Sequence, residues 1–573
     1  MRFAFLLSLV LLLTACTGST QPVPGAHPQM ILFGGLVYTQ QDGVVEEAIA
    51  LQDGRVLAVG STADMMELAD DGTLFVDLDG KAVYPGFADA HAHLVGIGTA
   101  AVRLDLVGTT SYEEVIARTV ERSKTMPAGE WLVGRGWDQN DWPRSASGTH
   151  ELPTHMALSE AIPDRPVVLV RVDGHALLTN AAAMQAARVD GETKEPEGGR
   201  IWRLTSGALS GVFVDTAEDL ISVAMPGTTV AAAREAILVA TQSLHEQGIT
   251  QFHDAGVGLV TLGILEELAG ADQLQLRLHE MLHGSDDALL TRYFANGPVH
   301  DYQGKGTLAV RAIKLYADGA LGSRGAALLE PYSDEHFHNG LILTPEEKMK
   351  SVCQSAIESG FQVCTHAIGD RGVRATLDTY EWAMSATKNE NADLRFRVEH
   401  AQIVHGEDIP RFAELGVIPS MQAQHQTSDM PWVEERVGGE RIRGAYAWRS
   451  FLKEGSIIPG GSDAPVERLD VVAQFKAAVT RQTLEGQPKG GWYPEQNMTR
   501  QEALNMLTIW PAHSAFREHD LGRLTPGYRA DLVVFDGDLM TTDADSLQNC
   551  HPVMTVFAGE VVWSAESELP KDQ

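Results

Sequence analysis

Short apolar runs alternate with longer helical stretches through the middle of this chain, and this alternation limits the possible folds more than any other feature. Strand-like runs occur at residues 313–316, 361–366, 396–400 and 457–463, and helical stretches separate them. Strands that alternate with helices indicate parallel βαβ units, and a long series of such units predicts an α/β fold of the (β/α)₈ TIM-type barrel class.

The two ends of the chain have a different pattern. Residues 30–83 and 530–563 contain short strand-like runs, separated in places by turn signals such as Asp53-Gly54. Asp-Gly between apolar runs is a strong hairpin signal. Because each end is too small to fold alone, we expect residues 29–84 and 514–565 to form one composite β-sandwich beside a barrel made of residues 85–513.

An insertion is expected within the barrel. The chain between His93 and Lys314 is far longer than the βα units between them would require. Since one such unit takes about 30 residues, we predict an insertion at about 110–229 that covers the barrel mouth as a cap.

The N-terminus carries an export signal. A charged start is followed by an apolar run at residues 3–13 and then by Leu-Thr-Ala-Cys ending at Cys16. The run is shorter than the about 20 residues that span a bilayer. This ending resembles a bacterial lipoprotein signal, which implies a signal peptide at 1–16, a lipid anchor on Cys16, a flexible tether at 17–28 and a periplasmic body. An ordinary cleaved signal peptide is the alternative.

Charge and cysteine content exclude some classes of partner. With 77 acidic and 44 basic side chains, the net charge of −33 repels nucleic-acid phosphates and offers no basic face to an anionic membrane. Cys353, Cys364 and Cys550 are an odd set, so we expect small buried hydrophobes rather than a disulfide framework. A small molecule is the expected partner, and the sequence leaves a homo-oligomer open.

His91 and His93 form the sharpest local signal. They follow the Pro85-Gly86 turn at the start of the predicted barrel. Alternate residues of a strand share a face, so both imidazoles point the same way and can bind one metal ion. A bare His-x-His is common, but its position directly after the β-rich segment favours a metal site.

Lys314 lies inside an apolar strand-like run. A buried ammonium is costly and tends to lose its proton. Three outcomes are open at this point: an ion pair with an acid such as Asp318, extension of the side chain to the barrel mouth, or reaction with CO₂ to form a carbamate.

His366, His400 and Asp463 each end a strand-like run. In a barrel, strand ends at the carboxyl side line the active site. A lone histidine there is usually only a polar strand end, and Asp463 can also cap the helix that follows. A carboxylate beside an activated water can instead act as general base and then as general acid.

The order and setting of these motifs resemble the amidohydrolase superfamily, specifically the amidohydrolase family 3 group, which includes enzymes similar to N-substituted formamide deformylases. The resemblance covers most of the chain after the signal. It implies two divalent metal ions, with zinc expected, and carbamylated Lys314 as the bridging ligand. The implied ligands, matched to this sequence, are His91, His93, Lys314, His366, His400 and Asp463.

The resemblance also implies a reaction. In the expected mechanism a hydroxide bridging the two ions attacks an amide-type carbonyl, and Asp463 moves the proton to the leaving amine, so that a C–N bond other than a peptide bond is hydrolysed. The same site could act on esters or lactones, or as a deaminase or isomerase, since a fold does not fix the substrate. A tethered binding lipoprotein without activity is the remaining alternative.

Weaker candidates surround these positions. Glu399 is expected to hold one of the metal ligands, because such ligands usually have a partner of their own, and Cys364 is placed beneath His366. His253 is left outside the metal shell. Five further residues are candidates for the wall of the substrate pocket, each also compatible with a structural role: Trp137, Asp138, His175, Ser323 and Arg324.

Overall fold

The structure is a computed structural model that describes residues 27–127, 129–144, 151–227, 229–387 and 393–565. The predicted signal peptide, Cys16 and the tether up to residue 26 lie outside the described residues. Among the helices of the described ranges, none combines the length and the apolar character that a membrane crossing needs.

The strands and helices are numbered here in chain order. The strands are β1 Met30–Tyr38, β2 Val45–Gln52, β3 Arg55–Gly60, β4 Leu74–Asp77, β5 Ala82–Pro85, β6 Phe87–Ala92, β7 Leu104–Asp105, β8 Leu132–Trp137, β9 Val167–Arg171, β10 Ala176–Thr179, β11 Gly199–Arg203, β12 Leu209–Asp215, β13 Ile249–Val257, β14 Arg277–His283, β15 Leu308–Tyr316, β16 Gln362–Ala367, β17 Arg397–His400, β18 Ile418–Ser420, β19 Leu532–Phe535, β20 Pro552–Phe557 and β21 Glu560–Ser564. The helices are α1 Thr62–Met66, α2 Leu94–Val102, α3 Tyr112–Ser123, α4 His155–Ala161, α5 Ala181–Ala186, α6 Asp219–Ser222, α7 Val230–Glu246, α8 Leu259–Gly270, α9 Asp287–Asn296, α10 Glu346–Ser359, α11 Asp370–Ala386, α12 Ile409–Leu415, α13 Ala423–Asp429, α14 Val433–Arg441, α15 Trp448–Lys453, α16 Val471–Thr480, α17 Arg500–Leu507 and α18 Ile509–Ser514.

A seven-stranded parallel sheet forms the centre of the molecule, in the order β18-β17-β16-β15-β14-β13-β6. Residues 459–463 lie between its two edges. Met421 bridges Gly460 in parallel, while the N–H of Ala90 donates to the carbonyl of Gly460 and the N–H of Asp463 donates to that of His91. The sheet is therefore a nearly closed barrel, as the alternating pattern predicts, and the carboxyl ends of its strands meet at one mouth.

The two chain ends share one sheet beside the barrel. Its order is β21-β20-β19-β5-β1-β2-β3, and β4 pairs with β1. Strand β19 pairs antiparallel with β5, and the hydroxyls of Tyr38 and Tyr84 both donate to Asp538 at 2.8 Å. Apolar side chains from both ends pack into one cluster that includes Leu32, Val37, Leu532 and Val556.

A separate six-stranded sheet lies between the first two barrel strands in the sequence. Its order is β11-β12-β10-β9-β8-β7, so it begins at Leu104, before the predicted start of the insertion. Its apolar residues, such as Leu106, Leu169 and Val212, form a cluster of their own. This inserted sheet supplies part of the wall of the cavity described next.

Candidate metal centre and active-site cavity

A large cavity opens at the barrel mouth, with a volume of about 1040 Å³. Its lining comes from two sources. The barrel supplies the predicted ligands, and the inserted sheet supplies Arg135, Asp138 and His175. The cavity is therefore the place where the inserted sheet faces the strand ends.

His91 and His93 on β6 are each held by an acceptor at Nδ1. His91 Nδ1 lies 2.5 Å from Glu399 Oε2, and His93 Nδ1 lies 2.9 Å from the carbonyl oxygen of Ala255. Both Nε2 atoms therefore face Asp463 Oδ1, at 3.7 and 3.2 Å. Burial and the charge of nearby Lys314 lower the pKa of His91 to about 4, so its ring is neutral and Nε2 keeps a lone pair. An acceptor on the far nitrogen is the usual setting of a metal-binding histidine, and Glu399 occupies that position for His91.

Lys314 on β15 is buried at the centre of the site. Its Nζ lies 3.0 Å from His91 Nε2, and its side chain is 1% exposed. Burial lowers the pKa of Lys314, although Glu399 and Asp463 oppose the shift. Within the described residues Asp318 does not pair with Lys314; its carboxylate instead accepts hydrogen bonds from the backbone N–H groups of residues 327, 368 and 369. The lysine is thus a buried amine held among histidines.

Asp463 lies at the barrel mouth because the loop before it closes tightly on β6. Gly461 is required there, since a Cβ at this position would lie 2.5 Å from the backbone N of His91. The backbone N–H of Ser462 donates to Asp89 at 3.0 Å and fixes the loop from the other side. Burial alone would raise the pKa of Asp463, but a hydrogen bond from His93 and the proximity of other histidines hold it well below its ordinary value. Asp463 is therefore a carboxylate near neutral pH.

His366 and His400 end β16 and β17 and pack ring against ring, with centroids 4.6 Å apart. His400 Nδ1 lies 2.9 Å from Gln422 Oε1, again an acceptor. His366 Nε2 lies 3.4 Å from the carbonyl of Gly319. The structure thus brings all six predicted ligand side chains to one place, with His366 oriented toward Gly319.

His425, in the first turn of α13, joins this group although sequence reasoning missed it. The ligand atoms of His400, His425 and Asp463 lie within 4.8 Å of one another, as do those of His91, His93 and Asp463. The signal that could have found it is weak. His425 lies in a polar Gln-rich segment just after β18, a strand of only three residues.

Two cap candidates line the cavity and are held by charged partners. His175 Nδ1 lies 2.7 Å from Asp215 Oδ1, and its ring centroid is 5.3 Å from that of His366. Burial would lower the pKa of His175, but Asp215 outweighs it and raises the pKa to about 9. Asp138 accepts a hydrogen bond from Arg171 at 2.5 Å.

The structure does not place the other three candidates in the cavity wall. Trp137 is fully buried in the core of the inserted sheet, where Nε1 donates to the carbonyl of Leu169 at 2.7 Å. Ser323 donates to the carbonyl of Ala320 at 3.3 Å, and Arg324 pairs with Asp334 at 2.9 Å. These three side chains are held by structural contacts instead.

The buried thiols also follow expectation. Cys353, Cys364 and Cys550 are buried and not joined by disulfides. Cys364 packs with Ala255, Met281 and Ala312 in a small cluster of buried residues.

Known proteins match the chain along most of its length. A family model described as amidohydrolase family matches residues 74–563. The putative amidohydrolase YtcJ of Bacillus subtilis (strain 168) is 31% identical over 541 residues, which cover 93% of this chain and 99% of that protein. N-substituted formamide deformylase of Arthrobacter pascens is 26% identical over 532 residues, covering 90% and 94%. The crystal structure of an uncharacterized metal-dependent hydrolase from Pyrococcus horikoshii OT3 has 26% identity and a TM-score of 0.72, covering 90% and 99%. The resemblance seen in the motifs is confirmed, and the chain belongs to the amidohydrolase family.

Proposed function

We propose that this metal-dependent amidohydrolase hydrolyses a non-peptide C–N bond in a small amide-type substrate. One observation carries the proposal: Asp463 lies within 4.8 Å of side-chain nitrogens from His91 and His93 in one group, and of those from His400 and His425 in another, at the mouth of the barrel. A carboxylate in that position can touch both a bound ion and a substrate in the cavity. N-substituted formamide deformylase, a relative by sequence, makes formamides the first substrates to test.

The side chains present suit two divalent ions. Neutral imidazole nitrogens and carboxylate oxygens are the donors that zinc prefers. Glu399, the carbonyl of Ala255 and Gln422 contact the Nδ1 atoms of three histidines, so their Nε2 atoms would carry the lone pair that binds an ion. We propose His91 and His93 for one ion with Asp463, and His366 and His400 for the other.

Bound metal ions and Asp463 would have different roles in the reaction. Divalent ions, if held by these residues, would supply Lewis-acid chemistry that polarises a carbonyl and lowers the pKa of water to about 7. Asp463 accepts a proton from the attacking water, because its low pKa keeps it ionised, and passes that proton to the leaving nitrogen. The oxygen of water bonds to the carbonyl carbon, the C–N bond breaks, and the products are a carboxylic acid and an amine.

Lys314 is proposed to carry a carbamate. Its unprotonated amine would bond to the carbon of CO₂ and lose one proton, and the resulting carbamate would offer two oxygen donors to bound divalent ions. The lowered pKa of Lys314 and its 3.0 Å approach to His91 support this. Protein loaded with metal under ¹³CO₂ should show a carbamate carbon resonance that is absent from Lys314→Ala, and a free amine in metal-loaded protein would remove the carbamate.

The decisive experiment combines metal analysis with substrates. Purified protein should bind divalent metal and release formate and benzylamine from N-benzylformamide, with activity lost on chelation and restored by zinc. An N-acyl amine, a lactone and an aminopyrimidine serve as comparison substrates. Metal-loaded protein that hydrolyses the lactone but none of the amides would overturn the C–N assignment.

Export and anchoring form a separate proposal, which rests on residues 1–28 of the sequence. A lipid on Cys16 should leave full-length protein in the membrane fraction of a bacterial host, and Cys16→Ser should release the body. Equal partition of both forms would exclude the anchor.

A further inference from the structure

Four histidines surround Asp463, but one of them differs from the others in what holds its Nδ1. In His91, His93 and His400 that atom faces an oxygen: a carboxylate, a backbone carbonyl and a side-chain amide oxygen. In His425 it lies 3.0 Å from Gln402 Nε2, which is a nitrogen that can only donate. The neighbour therefore sets a different tautomer for His425.

The tautomer decides what His425 can do. A neutral imidazole has one N–H and one lone pair, on different nitrogens. Because Nδ1 of His425 accepts from Gln402, its hydrogen lies on Nε2. A nitrogen that bears a hydrogen has no lone pair to give to a metal ion, so His425 is a donor where His91, His93 and His400 are ligands.

The Nε2 atom of His425 is buried and has no hydrogen-bond partner among the described residues. Asp463 Oδ2 is 3.7 Å away, which is too far for a hydrogen bond. The ring is also fixed in place, stacked on His400 with centroids 5.9 Å apart and planes 25° from parallel. Buried donors are normally satisfied, and this one lines the cavity beside the proposed base.

We infer that His425 is a further catalytic residue, whose Nε2–H donates a hydrogen bond to the substrate carbonyl oxygen as negative charge builds on it. Nε2 lies only 3.7 Å from Asp463 Oδ2, so a carbonyl group that reacts beside Asp463 also lies near this donor. A pre-placed donor aimed at a developing oxyanion lowers the barrier because it needs no rearrangement during the reaction. Gln402 is the positioning residue that keeps the proton on Nε2. The inference rests on the proposed function.

The test compares two substitutions of the same residue. His425→Leu removes the donor, while His425→Gln keeps a side-chain N–H group. With N-benzylformamide we expect kcat of the Leu variant to fall on the order of 10² to 10³-fold, as when one oxyanion donor is removed. KM should change little, metal content should stay as in the wild type, and the Gln variant should recover part of the loss. His405→Gln, on a surface histidine whose side chain is 43% exposed, is the matched control.

Two results would overturn the inference. Loss of one equivalent of metal from both His425 variants would make His425 a ligand, and a kcat near that of the wild type in the Leu variant would make it structural. A third readout needs no substrate. Histidine ¹⁵N spectra, with His425 assigned by its absence from His425→Gln, should show the Nε2–H tautomer in the wild type and a change in Gln402→Leu.

The spectra separate this inference from the proposed function. If the wild type hydrolyses no amide, the proposed function fails, and the tautomer and the metal content still decide whether His425 is a donor or a ligand. An Nδ1–H tautomer in the wild type would overturn the inference whatever the protein hydrolyses.

Discussion

The barrel mouth and the inserted sheet both line the same cavity, but they hold their side chains in different ways. In the barrel, His91, Lys314 and His400 are placed by parallel strands of one sheet, and single acceptors then fix the two imidazole rings. In the inserted sheet, ion pairs between side chains hold the polar groups, as Asp215 holds His175. The positions of the barrel side chains are thus fixed mainly by the backbone of the strands. The position of His175 in the inserted sheet depends mainly on its charged partner Asp215.

The two regions should therefore differ in how well they tolerate amino-acid substitutions. A side chain at a strand end is fixed in place by the sheet. Substituting it should therefore affect turnover directly. A residue held by one ion pair can be altered singly, and the effect should be confined to substrate binding or to local stability.

The largest effect is expected for Asp463→Asn in the barrel. The amide cannot accept the proton, so kcat should fall on the order of 10³-fold, within the range for loss of a general base. Most of the metal should remain, measured by elemental analysis alongside kcat. Asp71→Asn, at an exposed turn, is the control. Near-normal turnover in the Asp463 variant would remove Asp463 as the base.

Glu399→Gln should weaken metal binding. Glu399 holds His91 Nδ1 and also pairs with buried Arg397 at 2.6 Å. The amide oxygen of Gln can still accept, but the negative charge behind His91 is lost. Changing the partner of a metal-binding histidine typically costs about 10 to 100-fold in metal affinity, which chelator competition measures. The melting temperature should also fall because the charge of Arg397 loses its partner. Unchanged metal affinity would show that the strands alone fix His91.

Asp215→Asn tests the ion pair of the inserted sheet through pH. The pKa of His175 is raised from 6.5 to about 9 in the folded protein. The pair therefore stabilises the fold fully below the unfolded pKa of about 6.5, and this contribution is lost as pH rises through about 9. Melting temperatures of metal-loaded protein from pH 6 to 10 should show that decline in the wild type and a flatter curve in the variant. Parallel curves would mean that Asp215 does not set the charge of His175.

The smallest effect is expected for Trp137→Phe in the core of the inserted sheet. The variant loses the hydrogen bond to the carbonyl of Leu169, worth about 1 kcal/mol of unfolding free energy, together with some packing. Denaturant titration measures this loss. Both kcat and KM should stay close to the wild-type values, because Trp137 does not line the cavity. A clear rise in KM would instead indicate that Trp137 contributes to substrate binding.

The same contrast explains what the sequence could predict. His366, His400 and Asp463 could be predicted because they end strand-like runs such as residues 361–366. His91 and His93 could be predicted from their alternate spacing, and Lys314 from its place inside an apolar run. His425 was not predicted because β18, the strand before it, is only three residues long and gives no recognisable apolar run. Whether Trp137 faces a core or a cavity depends on how β8 pairs with β9. That pairing is a tertiary contact, and the local pattern of apolar residues does not indicate which strands will pair.

The shared sheet of the two chain ends has a consequence for synthesis. Strand β5 runs through Gly86 directly into β6, which carries His91, and its antiparallel partner β19 comes from residues 532–535. During translation β6, which carries His91, therefore emerges long before β19, the strand that pairs with β5. The sheet beside β6 is complete only after residues 532–535 have been translated, so we expect the final setting of His91 to form late, once nearly the whole chain has emerged.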